Sequence, residues 1–135
     1  MAKQSGLAWT TLSVDDSGGT PVDIRNDITD FDFATPRAAQ ETTGIDKSAM
    51  ERLLLLADFT ITLNGVANFG ASSAHTVFST VPSNSNQRTV TVGIGGKSLP
   101  NECIFTDYSF KRDNDGKLTW SAPGVLANGV VPTWA

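Results

Sequence analysis

The chain has 135 residues and a net charge of −4, with ten basic and fourteen acidic side chains. A chain of this length is expected to form one domain of ordinary size. Proteins that grip nucleic acid need clustered lysine and arginine, but the longest basic run here is Lys111-Arg112. Tight binding of nucleic acid is therefore not expected.

The composition also constrains fold and location. The low apolar content, 39%, and the abundance of Gly, Ser, Thr, Asn and Asp predict many turns between short strands. The single cysteine, Cys103, rules out an internal disulfide and is expected to be a small buried side chain. No signal peptide is visible, and the longest apolar stretch, Leu53–Ala57, is far shorter than the ~20 residues of a membrane helix. We therefore expect a protein that is made in a cytoplasm and has no membrane partner.

The first third of the chain predicts three strands. Trp9–Val14 and Pro21–Asn26 flank an Asp- and Gly-rich turn and are expected to form a hairpin. Asp27–Ala34 follows, and its Phe31 and Phe33 alternate with aspartates. This alternation is typical of a strand with one buried and one wet face.

The middle of the chain predicts two helices and one strand. Asp46–Arg52 begins like a helix, because Asp46 is a good N-cap and the residues after it favour helix. Leu53–Leu56 fits either a helix or a buried strand. Phe59–Leu63 alternates like a strand, and Ser72–Val81 has helical spacing that ends at a proline.

The last third predicts three more strands, Arg88–Ile94, Glu102–Arg112 and Lys117–Ala122. The turn Asp113–Gly116 joins the last two into a hairpin. The C-terminal extension, residues 123–135, carries apolar side chains that need a surface to pack on.

These elements predict one mainly β (α+β) domain over residues 1–135, a sandwich or barrel with one or two short helices. Residues 1–8 are expected to form a flexible arm.

Three patterns invite a search for chemistry, and each has a simpler structural explanation. His75 is the only histidine, and no nucleophile motif surrounds any serine. Asp113–Gly116 lacks the further oxygen ligands of a calcium loop, and Gly93–Ser98 lacks the first glycine and the helix of a phosphate-binding loop. Both segments are predicted to be hairpin turns. The sequence thus predicts no catalytic, metal or cofactor site and no enzyme.

Acidic residues are concentrated near the N-terminus, with six carboxylates between Asp15 and Asp32 and only Arg25 among them. A solvated surface is one explanation. The other is a surface that must not hold polyanions, since carboxylates repel phosphate. Four of the six, Asp23, Asp27, Asp30 and Asp32, lie on the predicted strands.

An ordered series of short motifs runs through nearly the whole chain. The motifs are Asp23–Phe31, Glu41–Leu53, Leu56–Val66, Ala74–Val81, Gln87–Val92, Phe105–Tyr108 and Gly116–Trp120. In this order they resemble the tail tube (major tail) proteins of long-tailed bacteriophages, especially phages that infect actinobacteria.

The resemblance implies a β-sandwich subunit of the virion tail. Six copies would form a ring whose inner strands make a continuous β-barrel lumen, and rings would stack into a tube through which genomic DNA is ejected without specific binding. The implied partners are further copies of the chain, a tape-measure protein and tail-end proteins. Some of Asp23, Asp27, Asp30 and Asp32 are then expected to line the lumen.

Two alternatives remain open at this point. The chain could be another virion part, such as a tail terminator, a head-completion protein or a capsid decoration protein, because small β-rich folds serve all of these. It could also be a ligand-binding β-sandwich, which predicts a monomer with an aromatic platform built from Trp9, Trp120 or Trp134.

Overall fold

The computed structural model of the protein describes residue 3, residues 5–7 and residues 9–135. This part of the chain contains ten strands, one short α-helix and one 3-10 turn, Arg25–Asp27. The mainly β class is thereby confirmed. The elements are β1 (Thr11–Asp15), β2 (Pro21–Asp23), β3 (Ile28–Ala34), β4 (Arg37–Glu41), β5 (Arg52–Ala57), β6 (Thr60–Val66), α1 (Ala74–Phe78), β7 (Arg88–Ile94), β8 (Lys97–Phe105), β9 (Ser109–Arg112) and β10 (Leu118–Leu126).

Eight strands form one bent antiparallel sheet in the order β2-β1-β7-β8-β10-β6-β3, with β9 paired to β10 beside the end of β8. The strands β8 and β10 pair over only three residues, Cys103–Phe105 with Gly124–Leu126. The sheet therefore divides into two layers, one of β2-β1-β7-β8 and one of β3-β6-β10-β9. Both layers have four strands, but we use the name four-stranded layer only for β3-β6-β10-β9. Within the described residues its end strand β3 does not pair with β2, so the sheet does not close.

The hydrophobic core lies between the two layers. Inward side chains of the first layer, such as Leu12 and Val90, belong to one cluster with Ile61 and others of the four-stranded layer. The helix α1 closes this cluster through Phe78, whose ring centroid lies 5.3 Å from that of Trp120. Because the two layers share one core, they pack as the predicted sandwich.

Several strands match the sequence prediction closely. β7 has the predicted bounds, and β3 and β6 show the predicted alternation of buried and wetter residues. The glycine turn before β8 and the turn Asp113–Gly116 are also confirmed, with Gly96 and Gly116 at positive φ. Four of the eight residues of the predicted N-terminal arm, at positions 1, 2, 4 and 8, lie outside the described residues.

The predicted helix at Asp46–Arg52 is wrong. The chain turns there and then enters β5, which pairs with β4. Thr43 closes the loop instead, because its Oγ1 accepts a hydrogen bond from the Glu51 backbone N–H at 3.0 Å. Helix propensity is worth only tenths of a kcal/mol per residue, up to ~0.7, so cross-strand pairing overrides it.

The predicted single strand Glu102–Arg112 is also wrong, because it is two strands. β8 starts earlier, at Lys97, and ends at Phe105, and β9 begins at Ser109. Between them the Asp107 carboxylate accepts a hydrogen bond from the Tyr108 backbone N–H at 2.8 Å. Such a local bond competes with strand pairing, and it accompanies the break.

The strands β3 and β6 continue beyond the sheet as one long hairpin. After Ala34 the chain passes Pro36 and runs on as β4, and the Asp58 N–H donates to the Pro36 carbonyl at 3.1 Å. We call β4, β5 and the connecting residues 42–51 the distal hairpin. Its two strands form a separate sheet that no other described strand joins.

A buried arginine joins three parts of the fold. Arg88, at the start of β7, is only 1% exposed. Its Nη1 donates to the carbonyls of Val77 at 2.9 Å and Asp15 at 3.2 Å, and its Nη2 donates to Thr80 Oγ1 at 2.7 Å. Burial lowers the pKa of Arg88, against the opposing influence of the nearby aspartates. The guanidinium thus ties the end of α1 to β1 and β7.

Asn101 is a buried polar residue whose replacement is expected to stabilise the subunit. It is 6% exposed, and its Nδ2 has no hydrogen-bond partner in the described part of the chain. An unpaired buried donor costs about 1–3 kcal/mol, so Asn101→Leu is expected to raise the free energy of unfolding by about 1 kcal/mol or more. Denaturant unfolding of the dilute monomer measures this.

The exposed turn residue Asn114 provides the matched control for that change. Asn114→Leu is expected to shift stability by less than about 0.5 kcal/mol. A clear destabilisation by Asn101→Leu would contradict the prediction, because it would mean that the amide makes a favourable bond.

Candidate functional site

The four-stranded layer presents a polar face to solvent. Side chains alternate along each strand, so β6 directs Leu63 into the core and Asn64 outward. Cross-strand pairing places Asp30, Asn64, Ser121 and Ser109 in one row across the layer. We call the outward side of the layer the polar face. Its polar residues are Asp30, Asp32, Thr60, Thr62, Asn64, Ser109, Lys111, Thr119 and Ser121.

A shallow groove of about 420 Å³ crosses this face, lined by residues of all four strands from Asp30 to Lys111. Toward β8 the face becomes apolar, with Pro123 and Val125. The polar part carries no aromatic side chain directed outward. It offers short hydroxyl and amide groups, two carboxylates and one ammonium group.

Both edges of the four-stranded layer are open. In the described part of the chain, β3 pairs only with β6, and β9 pairs only with β10. An open edge presents unpaired backbone N–H and C=O groups, which are a template for another strand. The two edges also differ in charge, because β3 carries the exposed Asp30 and Asp32 whereas β9 carries the exposed Lys111 and Arg112.

The four aspartates that the sequence grouped are separated in the structure. Asp30 and Asp32 share the polar face. Asp23 lies on β2, at the far end of the sheet, where its Oδ2 is 2.8 Å from Arg25 Nη2. The hydrogen bonds from Arg25 lower the pKa of Asp23, so this carboxylate is held by its own neighbour.

Asp27 does not face solvent, which corrects its assignment to an exposed acidic surface. It is 6% exposed, and its carboxylate accepts hydrogen bonds from Asn68 Nδ2 and from the Ala74 N–H, each at 2.8 Å. The 3-10 turn that ends at Asp27 positions it under α1. Strand alternation gave no signal for this, because Asp27 lies in the 3-10 turn and a register shift between Ile28 and Asp30 breaks the phase with Phe31.

The distal hairpin carries an uncovered apolar surface. Four consecutive leucines on β5 alternate between its two faces, so both faces are apolar. All four are exposed, and Leu56 is 91% exposed. The prediction that Leu53–Leu56 is either helix or buried strand is therefore half right, because the segment is a strand but is not buried. An isolated two-stranded ribbon is only marginally stable in water, so this surface needs a cover.

An open groove of about 800 Å³ lies between the distal hairpin and the C-terminal residues. Leu54–Asp58 and Arg37 line one side, and Val131 and Pro132 line the other. Ala135 is hydrogen-bonded within its own subunit. Its backbone N–H donates to the Ser98 carbonyl at 2.8 Å, and the Ser98 N–H donates to the Ala135 carbonyl at 3.1 Å. The groove is therefore bordered by ordered chain on both sides.

The residues considered for ligand binding or catalysis form packed aromatic clusters. His75 Nδ1 lies 3.1 Å from the Tyr108 hydroxyl, and the His75 ring contacts Phe69 at 4.7 Å between centroids. Burial, with a contribution from the charge of Asp27, raises the pKa of Tyr108 to about 12. Among the described residues, no serine hydroxyl or carboxylate is hydrogen-bonded to the His75 ring.

The three tryptophans do not form one platform. Trp120 is buried and donates through Nε1 to the Val66 carbonyl at 3.2 Å. Trp9 packs edge-on against Phe31 at 4.9 Å, and only Trp134 is largely exposed. Of the three, only Trp134 therefore offers a largely exposed ring for the aromatic platform that the ligand-binding alternative predicts.

The described residues contain no group of three or more metal-ligating side chains placed to hold an ion. No helix formed by these residues has the length and apolar character to cross a membrane.

Comparison with known proteins identifies relatives by fold but not by sequence. No protein-family model and no curated protein matches the sequence. A chain in the tail of an empty gene transfer agent particle, determined by helical refinement with C6 symmetry, superposes with a TM-score of 0.74 and 12% identity. The match covers 98% of this chain and 99% of that one.

A second similar chain comes from the virion of a native gene transfer agent particle. It has a TM-score of 0.68 and 13% identity, and the match covers 97% of this chain and 99% of that one. At these identities the likeness shows the fold alone. The chain therefore has the fold of proteins found in gene transfer agent particles, one of them in a C6-symmetric tail.

Proposed function

We propose that the protein is a structural subunit of a phage-like tail tube and has no catalytic role. The observation that carries this proposal is the four-stranded layer, with its polar face and its two open edges of opposite charge. Such edges support head-to-tail contact between identical copies, which closes into a ring when the rotation between copies permits. A closed ring leaves no free edge.

A ring of six copies, the symmetry of the similar tail, has a suitable size. Four strands from each of six copies make a barrel of about 24 strands. At about 4.8 Å between strands and a tilt of about 40°, its backbone diameter is about 48 Å. Short side chains inside reduce the bore to about 40 Å, wider than a DNA duplex of about 20 Å.

The polar face is the side that would line this bore. Apart from Lys111, its side chains are short, and none is an arginine or an aromatic that could bind a phosphate or stack on a base. Asp30 and Asp32 would repel the DNA backbone. These features support a lumen through which genomic DNA passes without specific binding, and which a tape-measure protein fills before ejection.

The distal hairpin supports the stacking of rings. It extends beyond the four-stranded layer by the length of β4, about 17 Å, and both of its faces are apolar. A neighbouring copy, in the same or the next ring, would bury Leu53–Leu56 and supply the missing cover. Tail-end proteins would meet the same surface at the last ring, in the virion.

Electron microscopy of the purified, concentrated protein tests the proposal. The expected result is hollow tubes with a bore of about 40 Å, built from six-fold rings. A protein that stays monomeric at high concentration, in low and high salt alike, would overturn the proposal. Closed single rings that never stack would instead favour a tail terminator or a head-completion protein.

A further inference from the structure

The direction of the strands determines how two copies can meet, given the proposed ring on which this inference rests. In the four-stranded layer each strand is antiparallel to the next. Because the number of strands is even, β9 runs opposite to β3. Rotation about a ring axis does not reverse strand direction, so β9 of one copy meets β3 of the next as an antiparallel pair. The antiparallel sheet thus continues across the joint.

We call the contact between β9 of one copy and β3 of the next the joint. Its register follows from which side chains lie on the polar face and from the tilt of the strands in the barrel. Shifts by an odd number of residues are excluded, because they would place polar-face residues of one copy opposite core-facing residues of the next. Within one copy, Asp30 and Ser109 lie in the same row across the layer. A barrel of about 24 strands with a tilt of about 40° shifts that row by about 4.7 residues per copy, and the nearest even shift is about four. Only a shift toward the C-terminal end of β3 keeps β9 opposite that strand, so Ser109 lies opposite Ala34 of the next copy and Lys111 lies opposite Asp32.

We propose that Lys111 of each copy forms an ion pair with Asp32 of the next copy, with Asp30 as its diagonal neighbour. Directly opposed residues of an antiparallel pair have Cβ atoms about 5 Å apart, and diagonal ones remain within reach of a long side chain. Lys111 can exchange its existing ion pair with Asp113 for this contact, because that pair is long, 4.0 Å between Nζ and Oδ1, and the Lys111 side chain is 81% exposed.

The ion pair has a consequence for the lumen. Unpaired, Lys111 would place a ring of ammonium groups where phosphate passes, and such groups retain DNA. Paired with Asp32, it no longer presents a free charge. The Asp30 carboxylates then dominate the lining, and one contact both closes the ring and keeps the lumen repulsive.

Charge reversal tests the pair through assembly. Lys111→Asp and Asp32→Lys, each alone, are expected to raise the minimum concentration for assembly by about tenfold or more, because like charges then meet at every joint. The double variant Lys111→Asp/Asp32→Lys restores the pair and is expected to assemble within about threefold of the wild type. Single variants that assemble like the wild type would overturn the inference.

Disulfide trapping tests the register directly. In assembled tubes of the Lys111→Cys/Asp32→Cys variant, oxidation is expected to link copies into a ladder that ends at the hexamer, since opposed strand residues satisfy disulfide geometry. Lys111→Cys/Thr62→Cys is the control, because Thr62 lies one strand further from the joint on the same face. The native Cys103 is buried, and burial raises its pKa to about 12, so it stays out of the reaction.

The outcomes separate this inference from the proposed function. Tubes that form but give no ladder with the 111–32 pair would overturn the ion pair and leave the tail-tube proposal standing. A wild-type protein that forms no rings or tubes would overturn the tail-tube proposal itself, and the joint with it.

Discussion

Replacing Leu54 and Leu56 together by glutamine is expected to abolish tube formation while leaving the single subunit as stable as before. Both side chains are largely exposed in the subunit, so their loss removes little contact from the monomer, and surface substitutions of this kind shift stability by about 0.5 kcal/mol or less. In the tube each leucine would be buried against a neighbour. Burial of a leucine contributes about 1.5–3 kcal/mol, so two lost leucines correspond to about a thousandfold weaker contact.

Two measurements on the Leu54→Gln/Leu56→Gln variant check this expectation. Sedimentation over a concentration series gives the threshold for assembly, and a thermal melt of the dilute protein gives the stability of the subunit. Arg52→Gln is the matched control, because Arg52 is an exposed residue of the same strand but is not apolar. Tubes that form at the wild-type threshold would contradict the role given to the distal hairpin.

Replacing Arg88 by alanine is expected to have the largest effect on the stability of the subunit, a loss of about 3 kcal/mol or more. The change leaves a cavity and deprives the Val77 and Asp15 carbonyls and Thr80 Oγ1 of their donor. Cavity formation and unpaired buried acceptors each cost kilocalories. For a chain of this size, the loss corresponds to a fall in Tm of about 10 °C.

Arg88→Met separates the two causes, because methionine keeps much of the volume without the charge and its desolvation cost. We expect it to be clearly less damaging than Arg88→Ala. Arg112→Ala is the surface control, since Arg112 is exposed on β9. All three are measured by denaturant unfolding of dilute protein, and an Arg88→Ala variant within about 1 kcal/mol of the wild type would show that the guanidinium is dispensable.

The sequence predicted the strands whose pattern depends on the subunit's own core. Alternation in Phe59–Leu63 and Arg88–Ile94 reports one buried face, and both segments are strands. The predicted helix at Asp46–Arg52 failed because its local propensity is weaker than pairing with β4. The sequence also does not show whether a leucine is covered by its own subunit or by a neighbouring copy. For this reason Leu53–Leu56 suggested a buried segment, although the four leucines are exposed in the single subunit.

The candidate site was predicted in part. Alternation placed Asp30 and Asp32 together on a wet face, as found. Asp27 was misplaced because the strand was predicted to begin there, whereas the chain makes a 3-10 turn at Arg25–Asp27 that buries this carboxylate. The basic side of the proposed joint was missed, because Lys111 is remote from Asp32 in the chain and the proposed ion pair lies between copies. Thr119 and Ser121, alternating with buried residues on β10, were the available signal for a polar face.

The unequal charges of the two open edges also matter before any ring exists. Newly made subunits are crowded, and exposed strand edges are common starting points for misassembly. Two β3 edges brought together would oppose four carboxylates, and two β9 edges would oppose two lysines and two arginines. Two-fold symmetric dimers through identical edges, which would block further growth, are thus disfavoured by repulsion. The charged residues of the two edges therefore favour contact between β9 and β3 and also disfavour contact between two identical edges.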